Sequence, residues 1–191
     1  MLKIIAGKHR HKKILTPSKE NIIPSKNIVR ESLFSIINFR IINSTFLDLF
    51  SGSGAIGLEA LSRQAKHVTF VDQDLEATKT IKQNLFNFNE EEKSTLLHMD
   101  YQVALKSFLL ENKTFDFIFL DPPYDFLYYL ELTNYIFLNN LLNPNGLLII
   151  ESEKQLNFIV LKNISHKTYR YGKSILYVLK KEKTAGAVLT K

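Results

Sequence analysis

The chain has 191 residues and 45% hydrophobic content, enough for one domain with a sizeable core and at most a small appendage. It has no cysteine, which excludes disulfides, thiolate zinc sites and cysteine nucleophiles. No N-terminal apolar leader and no bilayer-length apolar run is present, so a soluble, cytoplasmic protein is expected.

The 25 Lys and Arg outnumber the 19 Asp and Glu, for a net charge of +6. Residues 1 to about 24 hold much of that excess, in Lys3, Lys8, Arg10, Lys12, Lys13 and Lys19. A basic cluster confined to one segment is an electrostatic footprint for nucleic-acid phosphates rather than a merely solvated face. Two short apolar runs flank Gly7, so a small hairpin or arm is expected there. Residues 27–38 place Val29, Leu33, Ile36 and Ile37 at helical spacing, with Ser25 or Asn27 as the cap.

From residue 45 strand-length apolar runs alternate with amphipathic helices. Strands are expected at 45–50, 67–71, 95–98, 115–120 and 146–150, and helices at 55–63, 75–86, 101–111 and 126–140. Asn143-Pro144-Asn145-Gly146 reads as a turn before the fifth strand. Two more strands, 167–171 and 174–179, are joined by Gly172-Lys173, and a two-residue link makes only an antiparallel hairpin. The expected fold is a Rossmann-like α/β domain. Its mainly parallel seven-stranded sheet ends in an antiparallel hairpin, with helices on both faces.

After the first strand, Gly52, Gly54 and Gly57 satisfy G-x-G-x-x-G as the chain enters the first crossover helix. Asp72 ends the second strand, where a carboxylate suits a ribose diol. Asp48 precedes the glycines, where a diphosphate would gain nothing from it. An acid there suits a cationic ligand such as S-adenosylmethionine, or else stabilises the turn. Phe50 and Ser53 belong to the same turn. Asp100, after the third strand, fits either an adenine amino group, with Tyr101 nearby, or the N-cap of the next helix. The five histidines show no metal-ligand spacing, and no metal is expected.

The fourth strand runs into Asp121-Pro122-Pro123-Tyr124. Neither proline can donate to a sheet ladder, so the chain must leave the sheet at its carboxyl edge, where open α/β sheets bind ligands. An acid, a rigid turn and a ring there suit chemistry on the amino group of a flat base. For Tyr124 the competing role is an ordinary packed aromatic.

Taken together, DLFSGSGAIGLEALSR, FVDQD and FLDPPY resemble the class I S-adenosylmethionine-dependent methyltransferases. Residues 3–10, KIIAGKHR, the helix VRESLF at 29–34, and IIESE at 149–153 resemble the RsmD family, which methylates N2 of a guanine in 16S ribosomal RNA. The resemblance covers about residues 2–180. It implies a basic arm for RNA at 1–26, a methyltransferase domain at 27–180 and a fraying tail at 181–191. The partner implied is 16S rRNA in the small ribosomal subunit or an assembly intermediate, with the enzyme a monomer and no membrane involved. Ala6 replaces the family's first glycine, Ile23 stands where an arginine is usual, and Ser25-Lys26-Asn27-Ile28 departs from the usual run.

The catalytic residues implied are Asp121, Pro122, Pro123 and Tyr124. The cofactor residues are Asp48, Phe50, Gly52, Ser53, Gly54, Gly57, Asp72 and Asp100. Arg10, Lys12, Lys13, Lys26 and Arg30 are assigned to RNA, although Arg30 is equally suited to a structural clamp with Glu31 or Asp121. Glu151 is placed near the site or as a capping acid. The alternative reading is an adenine-N6 methyltransferase acting on DNA or RNA with the same Asp-Pro-Pro-Tyr device.

Overall fold

The computed structural model describes residues 2–18, 24–158 and 163–182, with the backbone alone at 24–26. Ile23 and the tail from 183 therefore lie outside the described residues. Seven strands form one sheet: β1 (Thr45–Asp48), β2 (His67–Asp72), β3 (Ser94–His98), β4 (Phe115–Leu120), β5 (Leu142–Ser152), β6 (Ile164–Tyr171) and β7 (Ser174–Lys181). Their order is β3-β2-β1-β4-β5-β7-β6. β1 to β5 run parallel, and β7 is antiparallel to both of its neighbours.

Successive strand residues feed opposite layers, as a two-residue side-chain period requires. Phe46, Phe117, Phe119, Leu176 and Val178 pack with α1 (Pro24–Ile37), α2 (Ala55–Ser62) and α3 (Leu75–Phe88). Leu47, Ile118, Leu120 and Tyr177 pack with α4 (Tyr101–Leu110) and α5 (Tyr129–Leu138). The apolar runs of β4 and β5 are continuous because both of their faces are covered.

Several boundaries differ from the sequence expectation, and three of the differences have a physical reason that bears on the site. α1 begins at Pro24, not 27, so Ser25 and Asn27 lie inside the helix instead of capping it. Proline is suited to a first helical turn, where its missing N–H would have no intrahelical partner anyway. α5 begins only at Tyr129, because the Phe126 N–H is taken by the Pro123 carbonyl in a turn. β5 begins at Leu142, and the Asn-Pro-Asn-Gly run lies within it as an irregularity. Phe115 pairs with Leu142 and Phe117 with Leu147, so β5 advances five residues while β4 advances two.

The N-terminal segment forms a narrow hairpin with one antiparallel bridge, Lys3 to Lys13. Ile4 N–H donates to Lys12 O, His11 N–H to Ile4 O, and Ile14 N–H to Leu2 O. Leu2, Ile4 and Ile14 are buried in the layer of α1, α2 and α3. No helix among the described residues is long and apolar enough to cross a membrane.

Candidate active site

The carboxyl ends of β1 to β5 open into one cleft of about 470 Å³. Gly52, Asp72, Asp100, Asp121 and Glu151 line it, one from the end of each strand. The turn after β1 explains how. Gly52 and Gly54 adopt positive φ, 51° and 76°, and Gly54 caps α2. A Cβ on Gly57 would lie 2.2 Å from Cε1 of Phe70, so only glycine lets α2 pack this closely on β2.

Asp72 ties this turn to β2. Its Oδ2 accepts the Gly52 N–H at 2.8 Å and its Oδ1 the Asp74 N–H at 2.8 Å. Asp100 caps α4, accepting the Gln102 N–H at 2.7 Å, while also lining the cleft, so the two roles considered for it coexist in one place. Phe50 and Tyr101 lie alongside, ring centroids 5.2 Å apart, and both touch Phe126.

Asp48 is not on the cleft wall. It is 1% exposed, and its Oδ2 accepts the Gly57 N–H at 3.1 Å from beneath the turn. The structure therefore gives it the turn-stabilising position. Ser53 is likewise buried, its carbonyl accepting from the Asn84 side chain at 3.2 Å.

At the end of β4, Asp121 is half-buried, Pro122 is buried, and Pro123 and Tyr124 are exposed. Lys154 places its Nζ 5.3 Å from the Tyr124 ring centroid. Tyr129 lies beneath, bonded to Ser152. Burial pushes its hydroxyl pKa up, and the nearby carboxylates of Asp121 and Glu151 add to the rise. Glu151, on β5, accepts from Ser174 Oγ at 3.1 Å.

The basic residues separate into two groups. Arg10, Lys12 and Lys13 are exposed on the hairpin, with Lys12 over the Phe88 ring. The side chain of Lys26 lies outside the described residues. Arg30 is 3% exposed, donates from Nη2 to the Lys3 carbonyl at 2.6 Å, and lies near Glu59. Burial lowers its pKa, opposed by Glu59. Arg30 is thus a clamp on the hairpin, and its partners are Lys3, Asn27 and Glu59, not Glu31 or Asp121.

Sequence reasoning missed two of the residues that seat the hairpin on the sheet domain. Glu59 of α2 accepts the N–H groups of Ile5 and Ala6 and is paired with Arg63. Asn84 of α3 accepts the Leu15 N–H at 2.9 Å and donates to the Leu15 carbonyl at 2.9 Å. One signal was available for Glu59: it is the lone charge in the otherwise apolar and small run Ala55–Ser62.

A mainly parallel sheet in this order, with only β7 reversed and a glycine turn leading from β1 into α2, is the class I methyltransferase fold. A family model described as Conserved hypothetical protein 95 matches residues 2–180, and the chain belongs to this family, the RsmD family. It is 35% identical over 189 residues to Ribosomal RNA small subunit methyltransferase D of Haemophilus influenzae, covering 98% of this chain and 90% of that one. The protein of the same name from Escherichia coli is 33% identical over 80% of this chain and 75% of its own length. A solved Escherichia coli structure described as the methyltransferase yhhF is 26% identical, with a TM-score of 0.82 over 96% of this chain and 99% of that one.

Proposed function

We propose that this protein transfers a methyl group from S-adenosylmethionine to the exocyclic N2 of a guanine in 16S rRNA of the small ribosomal subunit. One observation carries the reading: Asp121, fixed by two prolines, opens into the same cleft as Asp72 and Asp100. The names borne by the Haemophilus influenzae and Escherichia coli relatives support ribosomal RNA of the small subunit as the substrate.

The residues present suit the donor. Its sulfonium and ammonium are cationic, and the cleft wall carries Asp72, Asp100, Asp121 and Glu151. Each Asp72 oxygen already accepts one backbone N–H and keeps a further lone pair for a ribose hydroxyl. Asp100 would accept from the adenine amino group beside the Tyr101 and Phe50 rings. When bound, the donor supplies an electrophilic methyl group.

The chain supplies position and a proton acceptor. The guanine amine is a poor nucleophile because its lone pair is delocalised into the ring. Asp121 and the Pro122 carbonyl accept its two hydrogens and aim the lone pair along the line of transfer. Asp121 then takes the proton that the methylated nitrogen loses. Tyr124, 73% exposed, offers a ring face on which the extruded base stacks. Arg10, Lys12 and Lys13 hold phosphates of the surrounding RNA, which positions it without reading its sequence.

The test is transfer of labelled methyl to small subunits, free 16S RNA and duplex DNA, with the product nucleoside identified by mass spectrometry. Label in N2-methylguanosine from 16S RNA is expected. Label confined to adenine would overturn the reading. Asp121→Ala should abolish transfer while cofactor binding by calorimetry persists.

A further inference from the structure

The cleft wall is acidic except at one place. Asp72, Asp100, Asp121, Glu151 and Glu153 line it, and among the described lining residues Lys154 is the only cation. That charge pattern suits a cationic donor but repels the phosphates that flank a nucleotide delivered to Asp121. We propose that Lys154 binds the RNA phosphate beside the target nucleotide. In the free enzyme its ammonium lies against Tyr124. This inference rests on the functional reading above, with a nucleic acid as substrate.

The local structure is built for such a partner exchange. The backbone of Lys154 is fixed: its N–H donates to Ser152 Oγ at 3.0 Å, and its carbonyl accepts from the Tyr177 hydroxyl at 3.3 Å. Tyr177 is itself buried at 1% exposure and also takes the Leu156 N–H at 2.9 Å. A rigid attachment point thus carries a flexible four-carbon stem ending in a compact charge. The ammonium lies 5.3 Å from the centroid of a ring that is 73% exposed, and a cation–π contact so open to water is weak. A phosphate oxygen offers the ammonium a stronger, charge-assisted hydrogen bond. Moving to it clears the ring face that the base needs. Neutralising the phosphate at that point also offsets its repulsion from Asp121 and Glu153. Substrate arrival and exposure of the stacking face are then one event.

The experiment uses the full chain, wild type and Lys154→Ala, Lys154→Arg and Lys154→Gln. RNA affinity is measured by filter binding across a salt series, cofactor affinity by calorimetry, and transfer by steady-state kinetics. Lys154→Ala and Lys154→Gln should each flatten the slope of log Kd against log salt by about 0.7 to 0.9, the loss of one phosphate contact. KM for RNA should rise about tenfold with kcat changed much less, as expected for a lost charged contact made equally in ground and transition states. Lys154→Arg should restore the slope, and cofactor affinity should be unchanged in all three. An unchanged salt slope overturns the proposal. So does a weakened cofactor with RNA binding intact, which would assign the ammonium to the donor's carboxylate instead. Wild-type incorporation into 16S RNA reports separately on the functional reading, because the salt slope is read from binding alone.

Discussion

Glu59 accepts the backbone N–H of Ala6 at 2.9 Å from a side chain that is wholly buried on α2. The same carboxylate takes the Ile5 N–H at 2.8 Å and is paired with Arg63 at 2.8 Å. The helix that starts at the glycine turn therefore also holds the basic hairpin. Ser62, one turn on, continues the seam: its Oγ donates to the Ala6 carbonyl, and its own carbonyl accepts the Lys8 N–H. The RNA contacts proposed for the hairpin and the cofactor contacts proposed for the turn would share one mount.

Glu59→Ala removes the acceptor for two half-buried amides and leaves Arg63 without its ion-pair partner. Orphaning such donors and a largely buried charge costs about 3–5 kcal/mol. Urea denaturation should show a loss of that size. Limited proteolysis should cut within residues 2–18 before the sheet domain opens. Glu59→Gln, which keeps one acceptor, should fall between this variant and wild type.

Asn84 offers a sharper comparison, because it both accepts and donates. Its Nδ2 donates to the Leu15 and Ser53 carbonyls and its Oδ1 accepts the Leu15 N–H. Asn84→Ala should cost about 1–3 kcal/mol and weaken cofactor binding, since the carbonyl of Ser53 in the glycine turn loses its partner. Asn84→Asp should cost more than Asn84→Ala, because it sets a carboxylate against two carbonyl oxygens. Thermal melts and calorimetric cofactor titrations of both variants decide the order.

The mainly parallel sheet with its closing hairpin was legible because buried parallel strands are continuous apolar runs, as in Phe115–Leu120, and because Gly172-Lys173 permits only a hairpin. The cleft was legible because Gly52, Asp72, Asp100 and Asp121 each lie at or just after the carboxyl end of a strand, at the same edge. Glu59 and Asn84 were not, because their partners on the hairpin lie 53 to 69 residues away and are main-chain groups, which leave no side-chain pattern to read. For Asp48 and Arg30 the sequence left a ligand role and a structural role both open, for a related reason. A charge in a motif looks ready for a ligand until its burial and its local N–H or carbonyl partner are known. The start of α5 was placed early because Phe126 is apolar like the helix, yet it packs on Phe50 and Tyr101 at the cleft.

Gly57→Ala should destabilise the protein by about 1–3 kcal/mol, the usual range for an overpacked core contact. The added Cβ would meet the ring of Phe70, which is itself fully buried and cannot swing away. The displaced helix start should also loosen the Gly57 N–H bond to Asp48. Chemical denaturation measures the first effect and cofactor affinity the second.

Asp116 predicts a pH dependence. Burial alone would raise its pKa, but the N–H and hydroxyl of Thr45, the Asn143 amide and the nearby Arg40 outweigh that and hold it below the ordinary value of 3.8. A carboxylate depressed by folding contributes stability that is present above its unfolded pKa and is lost as pH falls through its folded one. Asp116→Asn should therefore destabilise the protein at neutral pH, and the difference from wild type should shrink steadily below about pH 4. Urea midpoints of both proteins across an acid series check it.

The grip on the hairpin has an evolutionary corollary. Glu59 and Ser62 bind peptide groups at residues 5–9, not side chains, so the anchor does not depend on which residues occupy most of those positions. Ala6 can replace glycine there because its N–H and carbonyl still serve. Gly7 cannot change so freely, since a Cβ would lie 2.0 Å from the Ser62 carbonyl oxygen. With its footing set by these main-chain bonds, Gly7 and the buried Leu2, Ile4 and Ile14, the hairpin's outward side chains at Arg10, Lys12 and Lys13 are not needed to hold it in place. Those exposed positions can thus change their chemistry without disturbing the fold that carries them.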